Sequence, residues 1–432
     1  MIILYAANIV FFFAALVFGP VYLTNRYKLG RLNILTIPLV ISLPIVSLTT
    51  FTGAAFFLED GLLNPYFQYA LLVNNVHTFL ATAATLFFIR VFERNAVLAH
   101  WIGMFARSGG EVRPERMRVA AGIFFALFLV SFVLLSRSFG LLSWIADPRT
   151  GYQLHRTGAG QWYAFSLSFL SLSLALSAIY ARTNFAVVLT APVFLAAVYL
   201  LGSKSFIIGF AVFYVVILSL RRFKYLGPVA SVILGVGAVS AIVTFISALG
   251  GFGLQEISSY SDYYVNAAMY YRDYLSGKVP LYYGQISLSG LWSVVPRSVY
   301  PGKPVVYGMG YIDEMYFPGS VEGTNTPAFI TVDYFADFGW PQAVLSAVVS
   351  PASVISGFLY AALLPRLQVF NQNRRLPHSR FLLYLFLLIS APFFLFYFDF
   401  PLNAILFSLT MGVINLANKL RLALTASEAE VA

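Results

Sequence analysis

Eight cations stand where a membrane chain has no topological need of them: Arg137, Arg149, Arg156, Lys204, Arg272, Lys278, Arg297 and Lys303. Hydropathy places all eight opposite the main basic loops. Fixed cations just beyond a bilayer fit an anionic ligand such as a lipid-linked pyrophosphate. The stretch 292–304 displays two of them on a loop stiffened by Pro296, Pro301 and Pro304. Arg297 offers a planar fork of donors suited to phosphate or sugar oxygens, whereas Lys303 is a compact point charge. Gly308 follows Arg297 after ten intervening residues. The plainer alternative is that both cations pair with Asp313 or Glu314.

Three further groups carry possible chemistry. The turn Gly202-Ser203-Lys204-Ser205 leaves free backbone N–H groups at the start of an apolar segment and adds a lysine, the makings of an anion site. A lysine snorkelling to the interface reads the same way. Arg149, His155 and Arg156 precede another apolar segment, with Gly158 and Gly160 permitting close backbone approach. His155 is a possible proton acceptor, since an unperturbed imidazole titrates near ~6.5. Asp333 and Asp337 lie four residues apart at the mouth of a late apolar segment and would share a face if that stretch were helical. Either could take a proton from a hydroxyl, or both could pair with arginines. Asn74, Asn75 and His77, inside an apolar segment, either line a polar cavity or hydrogen-bond between helices.

The elements that must position these groups follow from composition. The chain has 432 residues, 59% hydrophobic and only 10% charged, with mean hydropathy +0.80. A soluble domain carries about 25% charged residues, so most of this chain must face hydrocarbon. The expectation is an all-α polytopic membrane protein, a single integral membrane domain over 1–424 with a short cytoplasmic tail at 425–432. Eleven segments are apolar enough for spans of about 20 residues: 2–23, 33–57, 67–89, 119–137, 162–180, 185–201, 205–220, 227–249, 338–363, 381–397 and 403–420. With the N-terminus outside, nineteen of the 27 Lys and Arg fall on the inner side, as the positive-inside rule requires. The first apolar run lacks a basic leader and a cleavage site, so it reads as a span and not a signal peptide.

Two outer loops remain, 137–162 and 250–337. The first part of the longer one, 261–275, reads as a helix with clustered tyrosines lying at the interface. Its later part is broken by Pro296, Pro301, Pro304 and Pro318, which excludes a long regular element. Walker, Rossmann, HExxH and Asp-x-Asp patterns are missing, and the four histidines are dispersed, so neither a metal nor another cofactor is expected. The net charge of +10 reflects cytoplasmic anchoring and not nucleic-acid binding.

The layout, with Asp147-Pro-Arg149…Tyr152-Gln153…His155-Arg156…Gly158…Gly160, the turn at 202–204, Pro296-Arg297…Tyr300-Pro301…Lys303-Pro304, Thr326-Pro327 and Asp333-Tyr-Phe-Ala-Asp-Phe-Gly339, resembles the bacterial O-antigen (Wzy-type) repeat-unit polymerases. The spacing from Arg297 to Gly308 resembles a loop pattern of that family. The likeness covers mainly 137–220 and 250–345. It implies a GT-C-like fold in the bacterial inner membrane with its active site facing the periplasm. It also implies a metal-independent glycosyltransferase that joins oligosaccharide repeat units carried on undecaprenyl pyrophosphate. By that resemblance Arg156, Lys204, Arg297 and Asp333 are catalytic, with Asp333 as base. Arg149, His155, Arg272, Tyr271, Tyr300, Lys303 and Tyr334 bind substrate. Membrane lipids and a chain-length regulator are the further partners. An O-antigen ligase shares this layout, and a lipid-linked oligosaccharide flippase is the rival from another class. A flippase needs cations inside its spans, where this chain has almost none.

Overall fold

The computed structural model describes residues 2–29, 33–107, 113–137, 139–154, 160–202, 214, 217–218, 262–295, 299–321, 328–366 and 405–418. Those residues are helical with irregular connections, and no strand occurs among them. In chain order the helices are α1 (Ile2–Arg26), α2 (Thr36–Phe57), α3 (Pro65–Arg94), α4 (Ala96–Arg107) and α5 (Pro114–Ser136). Then come α6 (Leu141–Ala146), α7 (Pro148–Leu154), α8 (Gly160–Tyr180), α9 (Asn184–Leu200) and α10 (Asp262–Leu275). Last are α11 (Gln285–Ser289), α12 (Gly310–Tyr316), α13 (Trp340–Val348), α14 (Pro351–Leu363) and α15 (Ile405–Asn418).

Five runs are long and apolar enough to cross a bilayer: α1, α3, α5, α8 and the α13–α14 run, with α9 and α15 shorter and apolar. The protein is therefore an all-α polytopic membrane protein. The expected spans 227–249 and 381–397 lie outside the described residues, as do the tail and all of the span 205–220 except 214 and 217–218. The ninth expected span is not one straight helix: it stops at Val348 and restarts at Pro351. Proline fits the first turn of a new helix because its missing N–H has no partner there. The basic segment 90–118 also contains a helix that hydropathy passes over, α4, started by Asn95, whose side chain accepts from Val97 N and Leu98 N at 3.0 and 3.1 Å.

Sequence-local signals start other helices in the same way. Asn64 caps α3 by accepting from Tyr66 N and Phe67 N, with Pro65 at the first helical position. Thr183 caps α9 through Ala186 N at 3.1 Å.

Helix ends gather at two rims. At the basic rim Arg26 pairs with Glu93, Arg90 donates to Tyr22 Oη at 2.6 Å and Arg116 donates to Asn415 at 2.7 Å. At the other rim the Trp144 indole N–H donates to the Leu200 carbonyl at 2.8 Å.

Two cores result. One is packed from α5, α8, α9 and α14, with Phe124, Phe128, Leu172, Ala175 and Ile179 fully or nearly buried. Small residues bring α5 and α8 close enough for Ser173 Oγ to donate to the Ala121 carbonyl at 2.8 Å. The other core joins the outer halves of α1, α2 and α3 to α10 and to the segment ahead of α13.

Candidate functional site

The second core is built from rings. Tyr271 of α10 is fully buried, 5.0 Å from the Tyr69 ring of α3 and 5.1 Å from Phe335. Its hydroxyl lies 2.9 Å from Thr331 Oγ1. The Trp340 indole N–H donates to Tyr69 Oη at 2.8 Å, and Tyr264 packs edge-on against Phe67. The helix expected over 261–275 is present as α10, but its tyrosines form the seam to α3 instead of a sheet of rings lying on the interface. Tyr271 thus positions its neighbours from beneath.

The segment that follows carries the two carboxylates. Residues 330–338 form irregular turns and not a regular helix, with Thr331 at φ 73° and Gly339 at φ 65° closing the stretch. The single helical face expected for Asp333 and Asp337 therefore does not form, and the two part company. Asp337 is fully buried. Its carboxylate accepts from Ile286 N at 2.9 Å, Ser287 N at 2.8 Å and Ser287 Oγ at 2.5 Å. That satisfies the start of α11, as a capping side chain does. Asp333 has the opposite setting. Its side chain is open to solvent, yet enough protein surrounds the carboxyl that burial pushes its pKa up to about 6. A carboxylate so raised, and reachable from solvent, is a stronger base than an ordinary one.

Asp333 is held by its neighbours. Tyr334 stacks on His77 of α3 at 3.8 Å and 12°, and its hydroxyl donates to Asn74 at 3.3 Å. Gln342 donates to the Asp333 carbonyl at 3.1 Å while accepting from Asp337 N and Phe338 N. Residues 74–77 thus form the wall against which the Asp333 loop is seated. Asn75, by contrast, bonds across to Asn8 of α1 at 2.7 Å. His77 and Asn74 were recognisable as polar residues in an apolar span. Tyr69 and Trp340 gave no such signal, because one lies inside a span and the other at its start.

The cations divide. Arg272 is exposed and paired with Asp273, Nε to Oδ1 at 3.0 Å, and that guanidinium lowers the Asp273 pKa. Lys303 is buried: its ammonium donates to the Val295 carbonyl at 3.1 Å and stands 4.5 Å over the Tyr307 ring. Tyr300 stacks on Trp292 at 5.7 Å and 20°, leaving an exposed aromatic platform of the type that sugars favour. Gly308, at φ 56°, faces Gly290, where a Cβ would stand 3.3 Å from the Gly290 Cα. Its N–H donates to Ser289 Oγ at 2.9 Å, so the glycine that follows Arg297 pins this loop to α11.

The segment between α5 and α8 is fixed separately. Gly151 lies flat on the Trp144 indole, where a Cβ would come within 2.5 Å of the ring. Gly202, at φ 68°, abuts the Pro148 carbonyl oxygen, with 2.1 Å left for a Cβ. These two contacts seat α7, and with it Arg149 over the Tyr152 ring at 5.3 Å, against the turn that begins the 202–204 motif. His155, Arg156, Lys204 and Arg297 lie outside the described residues. Among the described residues no three of His, Cys, Asp and Glu are grouped as metal ligands.

No family model matches the chain, and no solved structure does. Two curated proteins, each named O-antigen polymerase, one from Salmonella typhimurium and one from Salmonella typhi, are both 27% identical to it over 205 residues. The match takes in 45% of this chain and 48% of each relative, so the chain spans about half the length of the curated relatives it matches. The family that the motifs resemble is thus the one for which these two curated relatives are named.

Proposed function

We propose that this protein is a polymerase that joins oligosaccharide repeat units, carried on undecaprenyl pyrophosphate, into an O-antigen or similar polysaccharide. The observation that carries the reading is the similarity over 205 residues to two proteins named O-antigen polymerase. The surroundings of Asp333 support it with a solvent-accessible carboxylate of raised pKa beside the Tyr334–His77 stack.

The step itself is a substitution at an anomeric carbon. The acceptor sugar hydroxyl forms the new C–O bond, the bond from the anomeric carbon to pyrophosphate breaks, and its electron pair leaves with the lipid pyrophosphate. Asp333 takes the hydroxyl proton. Arg156, Lys204 and Arg297 meet the charge that grows on the leaving group, a task for preplaced donors. Arg149, His155 and Tyr300 orient the sugars, with Tyr300 extended by its stack on Trp292. Lys303 and Arg272, already engaged, brace this surface, while Tyr271 and Tyr334 hold the loop that bears Asp333. The chemistry is assigned to the periplasmic face of the inner membrane and needs no metal. A chain-length regulator is the partner such an enzyme would meet.

The test is the glycan profile of a deletion strain complemented with Arg156→Ala, Arg297→Ala or Asp333→Asn, at matched protein levels. The expected profile lacks long chains and retains single-unit product. A ladder unchanged by all three substitutions rejects the assignment. Repeat units left on the inner leaflet would identify a flippase instead, and polymer stranded on its lipid carrier would identify a ligase.

A further inference from the structure

We infer that the stretch 279–295 is a lip seated in the bilayer, its apolar face lying among lipid chains at the rim opposite the basic one. The sequence is unusual for an extramembrane connection. Eighteen consecutive residues, from Val279 to Pro296, include no Asp, Glu, Lys or Arg, and Lys278 and Arg297 flank them. A water-exposed stretch of that length would carry about four charges at the usual one in four.

The structure gives the stretch two faces. Val279 and Ile286 are buried in the aromatic core. On the other side Tyr283, Leu288 and Leu291 are 76%, 69% and 65% exposed. They form one patch with Phe338. A Cβ on Gly284 would stand 3.5 Å from Phe338 Cζ and 3.7 Å from Leu288 Cδ1, and the Tyr283 and Phe338 rings meet edge-on at 6.4 Å. Leu291 lies one turn beyond Leu288. An apolar face of this kind, on a segment without charge and bounded by cations, matches elements that lie in a membrane interface.

The height of the lip is fixed by bonds to a span. The Asp337 carboxylate holds Ile286 N and Ser287 N, and Tyr282 N and Tyr283 N donate to the carbonyls of Ala336 and Asp337 at 3.0 and 2.9 Å. Three residues after Asp337 the membrane-crossing run begins at Trp340, whose indole bonds Tyr69 of α3. A Trp and a Tyr at a span end mark the headgroup level. The lip therefore lies where α13 enters the bilayer. Lipid is the occupant because the patch continues through Phe338 into α13, which exposes Leu345 and Val348 as a membrane-crossing run does. Lys278, exposed at the start of the stretch, suits headgroup phosphates.

The inference holds whether or not the protein polymerises glycans. The chain contains no cysteine, so one introduced thiol is a unique label site. Full-length Leu288→Cys and Leu291→Cys, each carrying an environment-sensitive fluorophore, would be placed in vesicles of phosphatidylethanolamine and phosphatidylglycerol. Nitroxide-bearing phospholipid is expected to quench both labels severalfold more than aqueous iodide does. Their emission should be blue-shifted from that of a label at Lys278→Cys. Stronger quenching by iodide would show the patch in water and overturn the inference. Shielding from both quenchers would show it covered by protein, which overturns it equally.

Discussion

The α5–α8 pair and the ring-built core around Tyr271 both exclude solvent, but they are held by different means. Between α5 and α8 the contact is mostly aliphatic and phenyl, with small residues setting the distance; Ser173 bonds the Ala121 carbonyl within the packed seam, and Arg118 reaches the Tyr180 carbonyl at 3.5 Å where the pair ends. In the core around Tyr271 several rings have a polar tether. Tyr271 has Thr331, Tyr69 has Trp340, Tyr334 has Asn74, and Asp337 ties α11 to the segment before α13. Lipid tails are as apolar as leucine, so packing and close approach are what hold a helix pair in a membrane. Irregular backbone leaves donors and acceptors that must be met within the protein. The outer core consists of such backbone, and it is there that a side chain can be aimed at a substrate.

Asp333 and Asp337 put that comparison under the most strain, being four residues apart with opposite surroundings. Asp333→Asn is expected to lower the polymerisation rate by about 10²–10⁴, the usual worth of a general base, while leaving the melting temperature unchanged. Because burial raises the Asp333 pKa to about 6, the rate of the native enzyme should climb as pH rises through that value and fall below it, where the base is protonated. The variant should lose that limb of the profile. Asp337→Ala is expected to act the other way round. It strands three donors, two of them backbone, at about 1–3 kcal/mol per buried unsatisfied group, so unfolding in detergent should show a loss of roughly 3 kcal/mol or more. Equal melting temperatures for the two variants would erase the distinction between the accessible carboxylate and the clamp.

Hydropathy reads the long apolar helices of this molecule well, because a span needs only a long apolar run and α1, α3, α5 and α8 each supply one. The same windows passed over α4, whose flanking arginines mask a cap at Asn95, and merged α13 with α14 across the break ahead of Pro351. The candidate site was legible by residue type and not by arrangement. The spacing of Asp333 and Asp337 fits one helical face, but Thr331 at φ 73° and Gly339 at φ 65° remove the helix. Lys303 reads as a free cation from its proline-braced loop, yet it is folded under against the Val295 carbonyl and Tyr307. The ties that decide these outcomes join residues such as Tyr69 and Trp340, 271 positions apart, which local patterns do not encode.

The segment between α5 and α8 sharpens the comparison at an intermediate level, since close backbone approach at Gly151 and Gly202 holds it. Gly202→Ala would put a methyl group 2.1 Å from the Pro148 carbonyl oxygen at a residue with φ 68°. The left-handed backbone alone costs about 1–2 kcal/mol for a residue with a Cβ, and relief of the clash must displace α7. A stability loss of roughly 2 kcal/mol or more is expected, together with a change in Trp144 fluorescence as α7 lifts from the indole. Unchanged fluorescence would mean that α7 is not seated by this turn.

The smallest effects compare two hydroxyls directly. Tyr271→Phe deletes the partner of Thr331 Oγ1, a buried atom on strained backbone, and should cost about 1–2 kcal/mol because the stranded hydroxyl has no access to water. Ser173→Ala also deletes one buried hydrogen bond. Its acceptor, however, is the Ala121 carbonyl in the middle of α5, which the helix already supplies with a donor, so nothing is stranded. Interhelical bonds of this kind average about 0.6 kcal/mol in membrane proteins, and the expected loss is of that size. The outer core should thus be at least about twice as sensitive to one oxygen atom as the α5–α8 pair, read from the melting curves of the two variants. If Ser173→Ala proved the more damaging, polar tethers would be governing the lipid-facing core as well, and the division between the two regions would fail.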